Sequence, residues 1–337
     1  MPSLLRPAAG FTCVFALATA GCSAGPKQTA DTSSSATASA TADAPSSATS
    51  YAPYVSATEA SANDSSGSPS TYNLAFVISG GSDCTPQWNG EDAIADTAVK
   101  SRISRLTADG GTVRVSFGGA SGKELAATCD SVAKLAAAYG TALDAAGSSQ
   151  ADFDIEGDEL TDTDTVALRS EAIAALQKER PDLEVSFTLP VMPSGLDSDS
   201  LALLESANTY DVQVSTVNLM TMNYGESYAG DMGDYALTSA KAAHTQLRKV
   251  FGLSAADAWQ GMALTSMIGV NDVAGETFTL SDAAQVRTFA EEKEMAWVSM
   301  WSTFRDEECA KGSGTDAATD CSGVKQSSGA FGEALAG

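Results

Sequence analysis

Two patterns of apolar and polar positions alternate along most of the chain. Short apolar runs bounded by Gly, Pro or polar turns predict eight strands: Tyr51–Thr58, Tyr72–Ser79, Thr112–Gly119, Ala151–Gly157, Leu183–Pro190, Thr216–Tyr224, Met262–Gly269 and Ala296–Ser302. Between most of them apolar residues recur three and four apart, which predicts helices over Ala93–Leu106, Glu124–Ala145, Asp164–Glu179, Ser198–Tyr210, Tyr235–Phe251 and Ser281–Glu292. Ser281 reads as the cap of the last helix, with Asp282 in its first turn. Eight strands with helices between them predict an α/β fold, the (β/α)8 TIM barrel. The rival is a doubly wound open sheet. It is disfavoured because no Gly-x-Gly-x-x-Gly or Walker loop follows an early strand.

One strand departs from the apolar pattern on one of its faces. In Asp152-Phe153-Asp154-Ile155-Glu156-Gly157, the three carboxylates share one face, and Ala151, Phe153 and Ile155 share the other. Crowded carboxylates repel one another and raise the pKa of at least one of them. That is costly for packing and useful for a group that must hold a proton near neutral pH. Barrels carry their chemistry at the C-terminal ends of the strands, and Glu156, Tyr224 and Trp301 fall at three such ends.

The beginning of the chain reads differently. Arg6, the apolar run Phe11–Ala20 and then Gly21-Cys22-Ser23 form a secretory leader over residues 1–22. The apolar run is too short to span a membrane. The small residues before Cys22 suggest a lipoprotein site with lipid on Cys22; plain secretion is the alternative. Residues 23–50 are almost all Ser, Thr, Ala and Asp, a disordered tether, and 51–337 is long enough for one domain. The expected protein is exported, lies at the cell surface or free in the medium, touches a membrane only through its lipid, and is a monomer.

Net charge is −24, which excludes a nucleic-acid partner and otherwise serves solubility. Besides Cys13 and Cys22, four cysteines remain: Cys84, Cys129, Cys309 and Cys321. In an exported chain they suggest two disulfides in one of three pairings. Cys309–Cys321, a short local loop, with Cys84–Cys129 is the favoured one. No Cys-x-x-Cys is present and His244 is the only histidine, so a zinc site or a Ser-His-Asp triad is disfavoured. No metal or cofactor is expected, and His244 reads as a surface helix residue.

Asp152-x-Asp154-x-Glu156 resembles the end of the glycoside hydrolase family 18 signature. Ser116-Phe117-Gly118-Gly119 resembles the family's Ser-x-Gly-Gly, Met220-Thr221-Met222-Asn223-Tyr224-Gly225 its Met-x-Tyr element, and Ser299-Met300-Trp301-Ser302 its closing tryptophan. The resemblance runs from about Tyr51 to the C-terminus and is nearest to bacterial single-barrel chitinases.

The resemblance implies a retaining mechanism in which the substrate's N-acetyl oxygen is the nucleophile. Glu156 is then the general acid and base, Asp154 orients the acetamido group, and Asp152 shares a proton with Asp154. Tyr224 bonds the acetamido oxygen, and Trp301 floors the sugar. Met222, Asn223, Ser116, Gly118 and Gly119 complete the substrate site, with Ser116 able to bond Asp152. Relatives often carry Asp where Asn223 stands, which implies a changed pH profile or substrate fit.

About 26 residues between the last two strands leave no room for the extra α+β lobe of larger family members. A shallow, open groove and internal cleavage are expected. Asn271-Asp272 resembles a loop of the same chitinase group and either shapes the groove or turns the chain, with the turn favoured. The implied substrate is an N-acetylglucosamine polysaccharide or oligosaccharide. The alternatives are an endo-β-N-acetylglucosaminidase acting on N-glycan cores and a non-catalytic carbohydrate-binding barrel.

Overall fold

The computed structural model describes residues 49–311 and 320–337. The leader, Cys22 and the Ser/Thr/Ala-rich segment up to residue 48 lie outside the described residues, whereas Ser50, expected in that tether, belongs to the first strand. The strands form a parallel barrel with helices outside. The first strand is split: Ser50–Tyr51 pairs with the last strand, Trp297–Trp301, and Tyr54–Ser56 pairs with the second, Thr71–Ser79. The break falls at Ala52-Pro53, where proline has no N–H for a ladder. Ala52 N–H still donates to Val298 O, and Asn73 N–H donates to Pro53 O, so this one segment bridges the two ends of the sheet.

The third to seventh strands are Thr112–Gly118, Gln150–Asp154, Glu184–Pro190, Val214–Met220 and Met262–Met267, each parallel to its neighbours. Two short strands, Pro86–Trp88 and Asp92–Ala93, extend the second strand's edge antiparallel.

Alternation along these strands separates two environments. Outward positions are apolar and pack under the helices: Phe153 stacks on Phe117 at 5.3 Å between ring centres and meets Tyr139 edge-on at 5.0 Å. Inward positions are polar yet buried, among them Asn73, Arg114, Ser116, Asp152, Ser186, Thr188, Asn218, Thr265 and Ser299. Buried polar groups need partners. Arg114 donates to Asn73 Oδ1 at 2.7 Å and lies over the Trp297 ring at 3.9 Å. Asn218 donates to Thr188 and Thr265 at 2.9 and 2.8 Å.

Helix boundaries follow capping chemistry. Asp96, Asp162, Asp197 and Asp231 each accept backbone N–H bonds at the start of Thr97–Leu106, Thr163–Glu179, Ser198–Thr209 and Met232–Phe251. Part of the negative charge is therefore spent on caps. The last long helix runs Leu280–Glu292 and is capped by Thr279, which forms a capping box with Asp282; Ser281 lies inside the first turn. The helix expected over Glu124–Ala145 is two pieces, a 3-10 turn Leu125–Ala127 and the helix Val132–Ala146. Cys129, between the pieces, is bonded to Cys84, and Cys309 is bonded to Cys321. His244 lies on a helix, half-buried, its ring stacked on Trp259 at 4.0 Å. Between the seventh and eighth strands the chain forms a small hairpin, Gly269–Val270 with Thr277–Phe278, and then the helix Leu280–Glu292.

One buried ion pair ties the helical layer to the segment that follows the carboxylate strand. Arg169 donates to Glu124 Oε2 through Nε and Nη2 at 3.1 and 3.0 Å, and both side chains are 1% exposed. Tyr139 O–H donates to Glu124 Oε1, and Glu159 approaches Arg169 at 3.7 Å. Removing one partner strands the other charge in the interior. Arg169→Met is expected to lower unfolding free energy by about 3–5 kcal/mol in urea denaturation. A loss under about 1 kcal/mol, the scale of a surface pair, would refute that role.

Candidate active site

The carboxylate motif lies at the C-terminal end of the fourth strand, and its three acids occupy three environments. Asp152 is deepest. Tyr54 and Ser116 donate to its Oδ2 at 2.9 and 2.7 Å, and Ser186 and Thr188 donate to its Oδ1, each at 2.8 Å. Four hydroxyls thus occupy a carboxylate with about four acceptor positions.

Asp154 follows on the same face. It is buried, and its Oδ1 has no hydrogen-bond partner among the described residues. Burial, then the charges of Glu156 and Asp152, raise its pKa well above the usual carboxylate range.

The ladder ends at Asp154, although Ile155 N–H still donates to Thr188 O. Glu156 lies just beyond, before Gly157, whose φ of 54° turns the chain into the short helix Asp158–Thr161. Glu156 is half-buried; its pKa is raised to about 7, by burial first and by Asp272 second.

These acids open into a cavity of about 420 Å³. Asp154, Glu156, Met222, Asn223 and Trp301 line it, as the sequence suggested. Tyr54, Phe76 and Asp272 also line it. Trp301 stacks on Phe76 at 5.5 Å and meets Tyr54 edge-on at 5.8 Å, forming an aromatic wall. A second depression of about 520 Å³ shares Phe76, Asn89 and Trp301 with the first, so the groove continues past that wall.

Several expected contacts are corrected. Ser116 is fully buried and serves Asp152 from below rather than lining the cavity. Gly118 and Gly119 also lie behind the wall. A Cβ at Gly118 would collide with the carbonyl oxygen of Asp154, and Gly119 N–H donates to that same oxygen at 2.9 Å. Their service is close approach between strands, at φ values of 101° and 91° that favour glycine.

Tyr224 is turned away from the cavity. It is 4% exposed, packs against Tyr228 and Tyr235 at 5.9 Å, and accepts a 3.4 Å bond from Ser239. The cause is local: Asn223 takes φ of 55°, which reverses the alternation after Met222.

Asn271-Asp272 is more than a turn. Asn223 Nδ2 donates to Asp272 Oδ2 at 2.9 Å, and Asn223 Oδ1 accepts from Asp272 N–H at 3.0 Å. Glu276, buried in the same loop, accepts from Gly225 N–H at 2.8 Å and holds the turn from behind. Sequence reasoning missed Tyr54 and Phe76 and favoured a plain turn for Asp272. Strand position could have flagged the first two, whereas the third depends on a contact across 49 residues.

A parallel barrel with acids at the C-terminal end of one strand, opening into an aromatic-walled groove, defines the class of barrel that carries an enzyme-type site there. Comparison narrows the class. The chain is 34% identical over 275 residues to the probable bifunctional chitinase/lysozyme of Escherichia coli, covering 76% of this chain. It is 32% identical over 274 residues to endochitinase 11 of Metarhizium anisopliae, again covering 76% of this chain. It spans only 31% and 52% of the length of these two relatives.

The crystal structure of the catalytic domain of a hyperthermophilic chitinase from Pyrococcus furiosus superimposes with a TM-score of 0.75 at 27% identity. That match covers 85% of this chain and 93% of the other. A family 18 chitinase from Pseudoalteromonas aurantia shares the fold, with a TM-score of 0.55 at 16% identity, covering 75% of this chain and 94% of that one. No protein-family model matches the chain. The chain belongs to glycoside hydrolase family 18.

The raised pKa of Glu156 has a consequence for stability. Its folded value, about 7, exceeds the ordinary 4.5, so the folded state binds the proton more tightly and stability falls as pH rises between those values. Glu156→Gln removes that cost. The variant is expected to be more stable than the parent by about 1–3 kcal/mol at alkaline pH and to gain little at acidic pH. Thermal unfolding at both pH values checks this, and an equal gain at both would contradict it.

Proposed function

We propose that the chain is a chitinase that hydrolyses β-1,4-linked N-acetylglucosamine polymers with retention. The observation that carries this reading is Asp154, whose buried Oδ1 has no partner in the cavity wall, next to Glu156, an acid that holds its proton up to about pH 7. A buried acceptor without a donor is expensive and is relieved when a ligand N–H arrives. An acetamido N–H supplies that donor and leaves its carbonyl oxygen free to attack the anomeric carbon.

As that bond forms, the glycosidic bond breaks and Glu156 gives its proton to the leaving oxygen. The resulting oxazolinium carries positive charge beside Asp154, which offsets it. Glu156, now a carboxylate, takes a proton from the water that attacks the same carbon. The acetamido group is regenerated, and two displacements give net retention.

Asp152, held by four hydroxyls, fixes the strand under Asp154 and supplies a second nearby charge. Trp301 and Phe76 offer flat apolar faces to the C–H face of a pyranose. No step is assigned to Tyr224, whose ring fixes the turn that presents Asn223. The groove's continuation past the aromatic wall favours a polymer over a single sugar.

The purified protein is expected to cleave a fluorogenic chitobioside, and Glu156→Gln to lose at least about 100-fold in kcat/KM. A glucosamine analogue without the acetyl group should not be cleaved, because it has no nucleophile. Unimpaired cleavage by Glu156→Gln would remove Glu156 from the acid role. Exclusive cleavage of a glycopeptide would move the substrate to N-glycan cores, and cleavage of neither would favour a binding barrel.

The leader and Cys22 support an exported, lipid-anchored enzyme. Cys22→Ser is expected to release the protein from the membrane fraction. Membrane retention of that variant would argue against the anchor.

A further inference from the structure

We infer that Asp272 is a positioning residue whose charge, held by Asn223 in the cavity wall that Glu156 also lines, acts on that acid. The inference rests on the reading of Glu156 as the acid.

Asp272 is not a free surface carboxylate. Asn223 grips it twice, donating from Nδ2 to its Oδ2 and accepting its N–H at Oδ1, and Asn223 Oδ1 also takes Val273 N–H at 3.4 Å. The loop that carries it is pinned at both ends. Asn271 Nδ2 donates to Met267 O and Gly269 O at 2.9 and 3.1 Å, and Asn271 N–H donates to Glu276 O. Glu276 in turn holds Gly225 N–H, just past Asn223. The hairpin pairing of Gly269–Val270 with Thr277–Phe278 closes the frame. A bonded frame therefore carries one carboxylate to the wall that Glu156 also lines.

The other titratable groups around Glu156 are accounted for. Asp154 and Asp152 share its strand, and Asp152 is saturated by hydroxyls. Tyr54 comes from the first strand, its hydroxyl committed to Asp152. Tyr224 and Glu276 belong to the turn and loop behind the wall. Glu159, on the following helix, faces Arg169. Among the described residues, those that line the cavity include no Lys, Arg or His. The negative charge of Asp272 thus acts on Glu156 without a cation in the wall to offset it, and after burial it is the second cause that raises Glu156. Because Asp272 is itself exposed, the effect is partly screened by salt.

Asp272→Asn keeps an oxygen for Asn223 Nδ2 and removes the charge, which separates electrostatics from structure. The alkaline limb of kcat/KM against pH on the fluorogenic chitobioside reports loss of the proton from the acid. In Asp272→Asn that limb is expected to move to lower pH by about 0.5–1 pH unit, with thermal unfolding unchanged at acidic pH, where Glu156 is protonated in both states. The double exchange Asn223→Asp with Asp272→Asn keeps one carboxylate and one amide in the pair and should return the limb toward the parent. In the unmodified protein, raising salt from about 0.01 M to about 1 M should move the limb the same way as Asp272→Asn does.

An alkaline limb that stays at the parent position in folded Asp272→Asn overturns the inference. If that variant does not fold, a limb that does not respond to salt in the unmodified protein overturns it equally. Failure of the underlying reading looks different: Glu156→Gln would then keep its activity whatever Asp272 does.

Discussion

The barrel depends on a carboxylate that its own strands have solvated. Asp152 takes hydroxyl donors from Tyr54 on the first strand, Ser116 on the third, and Ser186 and Thr188 on the fifth. A carboxylate moved from water to an apolar interior is costly unless fully hydrogen-bonded. Here the compensation comes from four side chains on three other strands, so the same bonds that make the charge tolerable also fix the strands' register. Ser116 and Ser186 are the register partners of Asp152 on its two sides, and Thr188 is the partner of Asp154. A one-residue slip in any of these pairs would turn the hydroxyl toward the helices and leave the acid unsatisfied.

The three acids then form a gradient along one strand. Hydroxyl donors saturate the deepest, the middle one has an oxygen without a partner, and the outermost is half-solvated. The chemistry proposed above draws on that gradient rather than on the identity of the side chains. Asp154 is costly to the apo protein and receptive to a donor, while Glu156 is desolvated enough to keep its proton yet open enough to pass it on. Gly118 and Gly119 make the gradient possible from the neighbouring strand, because any Cβ at Gly118 would strike the backbone that carries Asp154.

The fold was legible in the sequence because strand and helix periods differ and the apolar faces keep to them. Six of the eight strands begin or end within two residues of expectation at both ends, and the Asp-x-Asp-x-Glu strand was read on the correct face. What escaped was short or set by distant contacts. Ala330–Ala336 is a seven-residue helix whose first N–H groups are held by Asp306 rather than by a cap of its own, so no local signal marks it. The split first strand needed knowledge that both sheet edges meet on it. In the site, alternation placed Asp154 and Glu156 correctly and misplaced Tyr224, because a single positive φ at Asn223 inverts the pattern, and periodicity does not foresee such a residue. Ser116, Gly118 and Gly119 were found at the right strand end and assigned to the substrate, when their partners are Asp152, Asp154 and Phe76.

These errors share a physical origin. Below Asp154 the lumen is a network in which the hydroxyls and amides around Asp152 and Asn218 are committed to one another, so it admits little variation without loss of register. The loops beyond the strand ends carry no such obligation, and there the chain differs most from what its motifs imply. Asn223 illustrates the difference. As an amide it can donate to a carboxylate and accept backbone N–H bonds at once, which a carboxylate at the same position could not do. With an aspartate there, the Asn223–Asp272 pair would become two like charges and the loop would lose its anchor. The amide and the distant acid are therefore one feature. Asn223 removes a charge from the turn after the sixth strand, and its bonding lets Asp272 place one on the same wall from the loop after the seventh.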